Sequence, residues 1–215
     1  MKRDKYKIPY ALIGLIGRPL IRARLRPLVI NKHNIPKRGP VIFCGNHRHK
    51  LDPFCTIFST RRIIHYISKK EFMDGTDALT SKPNSLVRRL NALLLKCAGC
   101  ISVDREGDTG DAKDVAAEYL GIGSAIGIFP EGTRNKTANE YELQPFKFGA
   151  VSLAKKTGAA ILPFGITGQF KKGGNLTIRF GESFTVGDRS LEDANNELRE
   201  RIAVLIQESR QEAAM

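Results

Sequence analysis

The sequence predicts one α/β domain, with a mostly parallel or mixed sheet flanked by helices, led by a basic amphipathic helical segment at the N-terminus. Three observations carry this expectation. Short apolar runs rich in β-branched residues alternate with helical stretches after Pro40. The 215 residues suffice for one core and a small appendage, not for two full domains. The net charge of +13 is unevenly placed: eleven Lys or Arg and a single acid, Asp4, lie between Met1 and Arg38, and the remainder is nearly balanced. The division drawn from that change is residues 1–38 as a membrane-associating segment and residues 39–215 as the α/β domain.

The opening segment contains an uncharged apolar run, Ile8 to Gly17, followed by Arg18, Pro19, Arg22, Arg24, Arg26 and Pro27. The run is too short to cross a bilayer, which takes ~20 helical residues. Arginines stand where a signal peptide would carry its small-residue cleavage site. One or two short helices, broken near Pro19, are expected to lie on an anionic lipid surface with their leucines and isoleucines inserted. The competing reading is a basic helical hairpin packed on the domain.

Strands are expected at Val41 to Cys44, Ile63 to Ile67, Cys100 to Val103, Ser124 to Phe129, Ala160 to Ile166 and Leu176 to Phe180. Helices are expected at Pro53 to Ser59, Asn84 to Lys96, Ala112 to Gly121 and Phe146 to Lys156. A last helix follows Ser190, where Ser190 and Asp193 resemble a capping box and Leu191, Ala194, Leu198, Ile202 and Leu205 recur at helical spacing.

The four cysteines include a Cys97-x-x-Cys100 pair. Its apolar setting, without a second such pair or a histidine pair at zinc spacing, points to buried free thiols and to no metal. Most of the excess charge lies in the first 38 residues, which argues against nucleic acid, since that needs basic residues interleaved with aromatics over a folded surface.

Chemistry concentrates in turns that follow strands, where ligands gather in open α/β sheets. The first is Gly45 to Pro53, with His47 and Asp52. Asp52 before Pro53 reads as a helix N-cap, and the two side chains meet only if the intervening loop folds back. A carboxylate on His47 would fix its tautomer for proton abstraction. The competing reading is a capping aspartate and a surface histidine. His49 is a rival base, expected to be exposed like His33 and His65, and Cys44 beside His47 invites a nucleophile reading that burial in the strand would block.

The second turn is Phe129-Pro-Glu131-Gly132-Thr133-Arg134, where glycine permits close backbone approach and Arg134 offers a fork suited to phosphate. A Gly turn with a surface arginine is the alternative. Arg105, just past another strand, and Lys147, near the start of a helix, would add positive charge on the same edge.

Asn46-His47-x-x-x-x-Asp52, Gly99 to Arg105, Phe129 to Arg134 and Ile161 to Ile166, in this order, resemble the glycerolipid acyltransferases. The resemblance implies that His47 is the general base and Asp52 its orienting carboxylate. It also implies that Arg105, Glu131, Gly132, Thr133 and Arg134 bind the acceptor's phosphate. The implied reaction is direct transfer from acyl-CoA or acyl carrier protein to a lysophospholipid hydroxyl at the cytoplasmic face of the membrane, without a further cofactor. A different acceptor, such as glycerol 3-phosphate, and a non-catalytic lipid-binding protein are the other readings, the latter disfavoured by the intact His47 and Asp52.

Overall fold

The computed structural model describes residues 4–74, 86–103, 110–137, 139 and 141–214. A seven-stranded sheet organises them: β1 (Leu28–Ile30), β2 (Val41–Gly45), β3 (Ile64–Lys69), β4 (Ile101–Val103), β5 (Ala125–Ile128), β6 (Ala160–Thr167) and β7 (Thr177–Phe180). The spatial order is β1-β7-β6-β2-β5-β3-β4. The block β6-β2-β5-β3-β4 is parallel, β7 is antiparallel to β6, and β1 is parallel to β7. The mixed, mainly parallel α/β class expected from the sequence is therefore the observed one. β2 lies at the centre with all five residues buried, which is why it reads as a continuous apolar run.

Helices cover both faces: α1 (Lys7–Leu25), α2 (Asp52–Ser59), α3 (Lys70–Asp74), α4 (Leu86–Cys97), α5 (Gly110–Gly121), α6 (Gly149–Thr157) and α7 (Leu191–Ala214). Side chains alternating along β2 divide the core. Ile42 and Cys44 pack with α5, α6 and α7 through Ala116, Val151 and Leu198. Val41 and Phe43 pack on the other face with Tyr10, Leu25, Cys55 and Ile57 from α1 and α2. The α7 cap forms as its sequence suggests, Ser190 Oγ accepting the Asp193 N–H at 3.0 Å.

Several elements depart from expectation for identifiable reasons. Pro19 does not break α1, which runs through it. An interior proline costs about 3 kcal/mol, and packing along one side of the helix offsets that cost. Tyr10 is buried and its hydroxyl accepts the Ile64 N–H. Gly17 sits so close to Phe58 that a Cβ there would lie 2.4 Å from the ring. Arg18 donates to the Thr60 carbonyl.

The three residues of β1 were too few to stand out between Pro27 and Asn31, yet they add a strand beside β7. The opening segment is thus built into the sheet and core, whereas the sequence suggested an appendage. The short α3 was also not anticipated. α6 begins at Gly149 instead of Phe146, because the Lys147 N–H donates to the Pro130 carbonyl at 2.8 Å and holds residues 146–148 against the turn after β5.

Pro163 lies inside β6, an unusual place for a residue without an N–H. It falls between the isolated Ile161–Phe184 bridge and the ladder that starts at Phe164–Phe180, where pairing with β7 is already interrupted.

His65, expected to be exposed, is fully buried. Its Nε2 meets Asp4 Oδ2 and its Nδ1 meets the Gly99 carbonyl, both at 2.8 Å. Tyr119 stacks on it at 4.0 Å. Burial alone would raise the Asp4 pKa, but hydrogen bonds from the Ser124 hydroxyl, the Tyr6 N–H and His65 outweigh it and hold the carboxyl below its ordinary 3.8. A depressed carboxylate stabilises the fold above that value, and the contribution is lost as pH falls through the folded-state pKa. Asp4→Asn is accordingly expected to cost about 3 kcal/mol near neutrality. The gap from the parent should stay level down to pH 4 and narrow below it, as read by urea unfolding across pH.

Candidate active site

The site forms at the carboxyl edge of the sheet from the loops that follow the adjacent strands β2 and β5. Gly45 ends β2 in contact with Phe164 of β6, where a Cβ would lie 2.2 Å from the ring, so only glycine lets the strand turn out at that point. Asn46 is buried and bridges to β6: its Nδ2 donates to the Ile166 carbonyl and its Oδ1 accepts the Ile166 N–H, each at 2.8 Å. These two bonds fix where the next residue, His47, leaves the sheet.

The β5 loop grips His47 by its backbone. Glu131 Oε1 accepts the His47 N–H at 2.9 Å, and the Asn135 N–H donates to the His47 carbonyl at 2.6 Å. Phe129 stacks on the imidazole with centroids 4.1 Å apart and planes 13° apart. The Arg48 guanidinium donates to the carbonyls of Thr137 and Asn139 and ties the two loops together further out.

Residues 48–51 fold back, so that His47 Nδ1 lies 2.8 Å from Asp52 Oδ2. The same oxygen accepts the N–H of Arg48 at 2.7 Å and of His49 at 2.8 Å. Asp52 is therefore not the expected N-cap. It is the first residue of α2, and its carboxylate serves the preceding loop. Its Oδ1 is buried without a hydrogen-bond partner among the described residues. A carboxylate accepts only, so Nδ1 carries the proton and Nε2 is left with its lone pair free. The His47 side chain is 19% exposed and that of Asp52 is 1%, which puts a basic nitrogen at the surface on a buried support.

His49 is half-buried, against expectation, because it stacks on Phe170 at 4.2 Å. Its Nδ1 accepts the Leu51 N–H, so the neutral ring has its proton on Nε2 and no free lone pair to act as a base. Burial, and then the charges of Lys50, Arg134 and His47, outweigh Asp52 and shift its pKa down. Cys44 is fully buried and burial pushes its thiol up, so no thiolate is available beside His47. Cys44, Cys55, Cys97 and Cys100 are all free, the last two only partly buried.

The other expected residues separate into two groups. Glu131 is buried, and its second oxygen accepts the Gln144 N–H at 3.1 Å, so both oxygens face backbone donors and its place is that of a brace. Burial raises its pKa, and those N–H bonds pull against the rise. Gly132 adopts φ +71°, and the stem of Lys147 lies across it: a Cβ there would sit 3.1 Å from Cδ and Cε. Lys147 and Thr133 are exposed and Arg134 half-exposed. Arg134 has no hydrogen bond or ion pair among the described residues, leaving its fork available. Arg105 lies outside the described residues. Asn135, Arg48 and Phe129, which hold His47 in place, were not singled out from the sequence for this task. Among the described residues no group of His, Cys, Asp and Glu could hold a metal ion.

The Acyltransferase family profile matches residues 26–167, a span that contains both loops. The chain belongs to the Acyltransferase family. As a member, it is similar to a 1-acyl-sn-glycerol-3-phosphate acyltransferase of Borreliella burgdorferi, 32% identical over 145 residues, which covers 66% of this chain and 51% of that protein. A Bacillus subtilis protein of the same name is 27% identical over 167 residues and 74% of each chain. The chain thus spans about half the length of the first of these acyltransferases and three quarters of the second. Its fold is similar to the crystal structure of the 1-acyl-sn-glycerophosphate (LPA) acyltransferase PlsC from Thermotoga maritima. That likeness has a TM-score of 0.70 at 21% identity and covers 98% of this chain and 84% of that one.

Proposed function

We propose that the chain transfers a fatty acyl group from a thioester, acyl-CoA or acyl carrier protein, to the free hydroxyl of 1-acyl-sn-glycerol 3-phosphate, giving phosphatidic acid. The observation that carries this is His47, held by Asp52 with Nε2 free, in an acyltransferase whose relatives bear that name. Nε2 removes the acceptor's hydroxyl proton as the oxygen attacks the thioester carbonyl. The tetrahedral intermediate collapses, the C–S bond breaks, and the imidazolium returns the proton to the departing thiolate. Asp52 stabilises the imidazolium between these steps without taking the proton. The reaction needs no metal, no cofactor and no acyl-enzyme.

Arg134 and Lys147 flank the turn at Gly132, and with Arg105 they supply positive charge for the acceptor's phosphate. Purified protein given labelled acyl thioester and the lysophospholipid should form labelled phosphatidic acid, and glycerol 3-phosphate tested in parallel should be a poorer acceptor. Arg134→Ala is expected to raise KM for the acceptor about tenfold or more, the worth of a charged hydrogen bond, with a smaller change in kcat. An unchanged KM would remove Arg134 from phosphate binding.

The acceptor resides in a membrane, and the chain is proposed to work at its cytoplasmic face through peripheral attachment by α1. No described helix is long and apolar enough to cross a membrane. α1 packs on the domain along one side and leaves Ile8, Leu12, Leu15, Ile16 and Leu20 exposed, with Arg22 and Arg24 beside them. Removing residues 1–29 would take two residues of β1 as well, so point changes are the sounder test. Each basic side chain near an anionic surface contributes about 1 kcal/mol. Arg22→Glu with Arg24→Glu should therefore lower affinity for phosphatidylglycerol vesicles about tenfold or more in a cosedimentation assay, with the difference shrinking in high salt.

A further inference from the structure

Large apolar side chains left in solvent concentrate on two helices. α1 exposes the five named above, and α4 exposes Leu86, Leu90 and Leu93, all between 54% and 81%. The spacing i, i+4, i+7 sets the three leucines on one face of α4. Ala92, pointing elsewhere, is buried.

The two helices touch, and their ends can be placed. α1 starts where Asp4 meets His65 at the beginning of β3, and it leads into β1, whose Leu28 pairs with Thr177, itself opposite Thr167 at the carboxyl end of β6. α4 packs on α3, which follows the carboxyl end of β3, and it finishes before Gly99 at the beginning of β4. The pair therefore runs antiparallel between the two edges of the sheet, one of which carries His47.

Charge distinguishes the partner. Neither helix contains an acidic residue. Arg22, Arg24, Arg89 and Lys96 are exposed and form no ion pair among the described residues. Beside α1, a cavity of about 160 Å³ is lined by Arg18, Arg22 and Lys32 over Phe58, Val29 and Cys55, and every charged residue of its lining is a cation. Exposed leucines and isoleucines on two helices that carry cations and no acid match a bilayer, whose acyl region takes the apolar side chains and whose phosphates take the cations.

We propose that α4 is a second lipid-contacting element, and that α1 and α4 together seat the protein on an anionic phospholipid bilayer with the His47 edge of the sheet at one end of the contact. This rests on, and extends, the peripheral attachment proposed for α1. Two helices in contact with lipid fix the orientation of the domain, which a single helix, free to roll about its axis, does not.

The chain contains no tryptophan, so a single introduced one reports its own surroundings. Leu90→Trp and, separately, Leu12→Trp in the full-length protein are mixed with vesicles of phosphatidylglycerol and phosphatidylcholine carrying brominated acyl chains. The expected result is a blue shift and bromine quenching for both probes. Leu86→Ser with Leu90→Ser and Leu93→Ser should weaken vesicle binding about tenfold or more, with turnover of detergent-dispersed acceptor retained. Quenching of the Leu12 probe alone overturns the role of α4 and leaves α1 as the anchor; quenching of neither overturns both. A Leu90 probe that is blue-shifted without lipid, in a protein that light scattering finds dimeric, overturns the proposal in favour of a second copy on this face. Failure of the acyl-transfer reading shows separately, as absence of product in detergent.

Discussion

His47→Ala is expected to lower kcat about 10²- to 10⁴-fold, the range associated with loss of a general base, while the protein stays folded. Among the described residues nothing else in the site replaces it. His49 carries its proton on Nε2, Cys44 is a buried neutral thiol, and Glu131 faces two backbone N–H groups. The fold should persist because the loop is held by backbone bonds from Glu131 and Asn135 that do not involve the imidazole. Losing the stack on Phe129 costs about 1 kcal/mol, so the thermal midpoint should fall by only a few degrees. Acyl-transfer kinetics and circular-dichroism melts on one preparation separate the two effects. Turnover at the parent rate would remove His47 from the mechanism.

Asp52→Asn is the second large effect and works through His47. The amide oxygen can still accept from one or two of the three donors now on Oδ2, so the loop remains close to its place. The amide cannot stabilise the imidazolium as a carboxylate does, and its NH₂ turned toward the ring would force the wrong tautomer. A loss in kcat of about 10³- to 10⁴-fold is expected, with little change in KM for either substrate. Asp52→Ala should differ in kind: three donors lose their acceptor in a buried place, and stability falls by about 3 kcal/mol or more. Equal melting temperatures for the Asn and Ala variants would show that the carboxylate does not organise the loop.

Much of this was legible in the sequence because the central strands are apolar runs of the right length, and because the His47 and Glu131 turns each follow one. The six strands anticipated all form, with ends shifted by a residue or two. What escaped has physical reasons. β1 is stabilised by its partner β7 and not by its own three residues. α1 runs through Pro19 because one of its sides buries Tyr10, Gly14 and Leu25 and sets Gly17 against Phe58, a tertiary gain that helical propensity does not register. His65 is polar and sits in a strand, so burial could be inferred only by knowing that Asp4, sixty-one positions away, would reach it.

In the site, the pairing of His47 with Asp52 could be posed from the sequence but not decided, since it depends on the loop folding back onto Oδ2. The bracing by Asn135 and Arg48 arises from contacts between loops 88 to 91 positions apart, and no local pattern encodes them. Glu131 drew attention as a ligand for phosphate because a carboxylate beside a glycine and an arginine resembles a binding turn. Its burial against two N–H groups reassigns it to holding the turn in shape.

The most direct test of the central claim mixes purified protein with a labelled acyl thioester and 1-acyl-sn-glycerol 3-phosphate, quenches the reaction over time, and quantifies free thiol, phosphatidic acid and the intact mass of the protein together. Direct transfer through His47 predicts thiol and phosphatidic acid in equal amounts from the first time point, protein of unchanged mass, and both products slowed together by His47→Ala. Thiol released ahead of phosphatidic acid, with the protein gaining the mass of an acyl group, would contradict it.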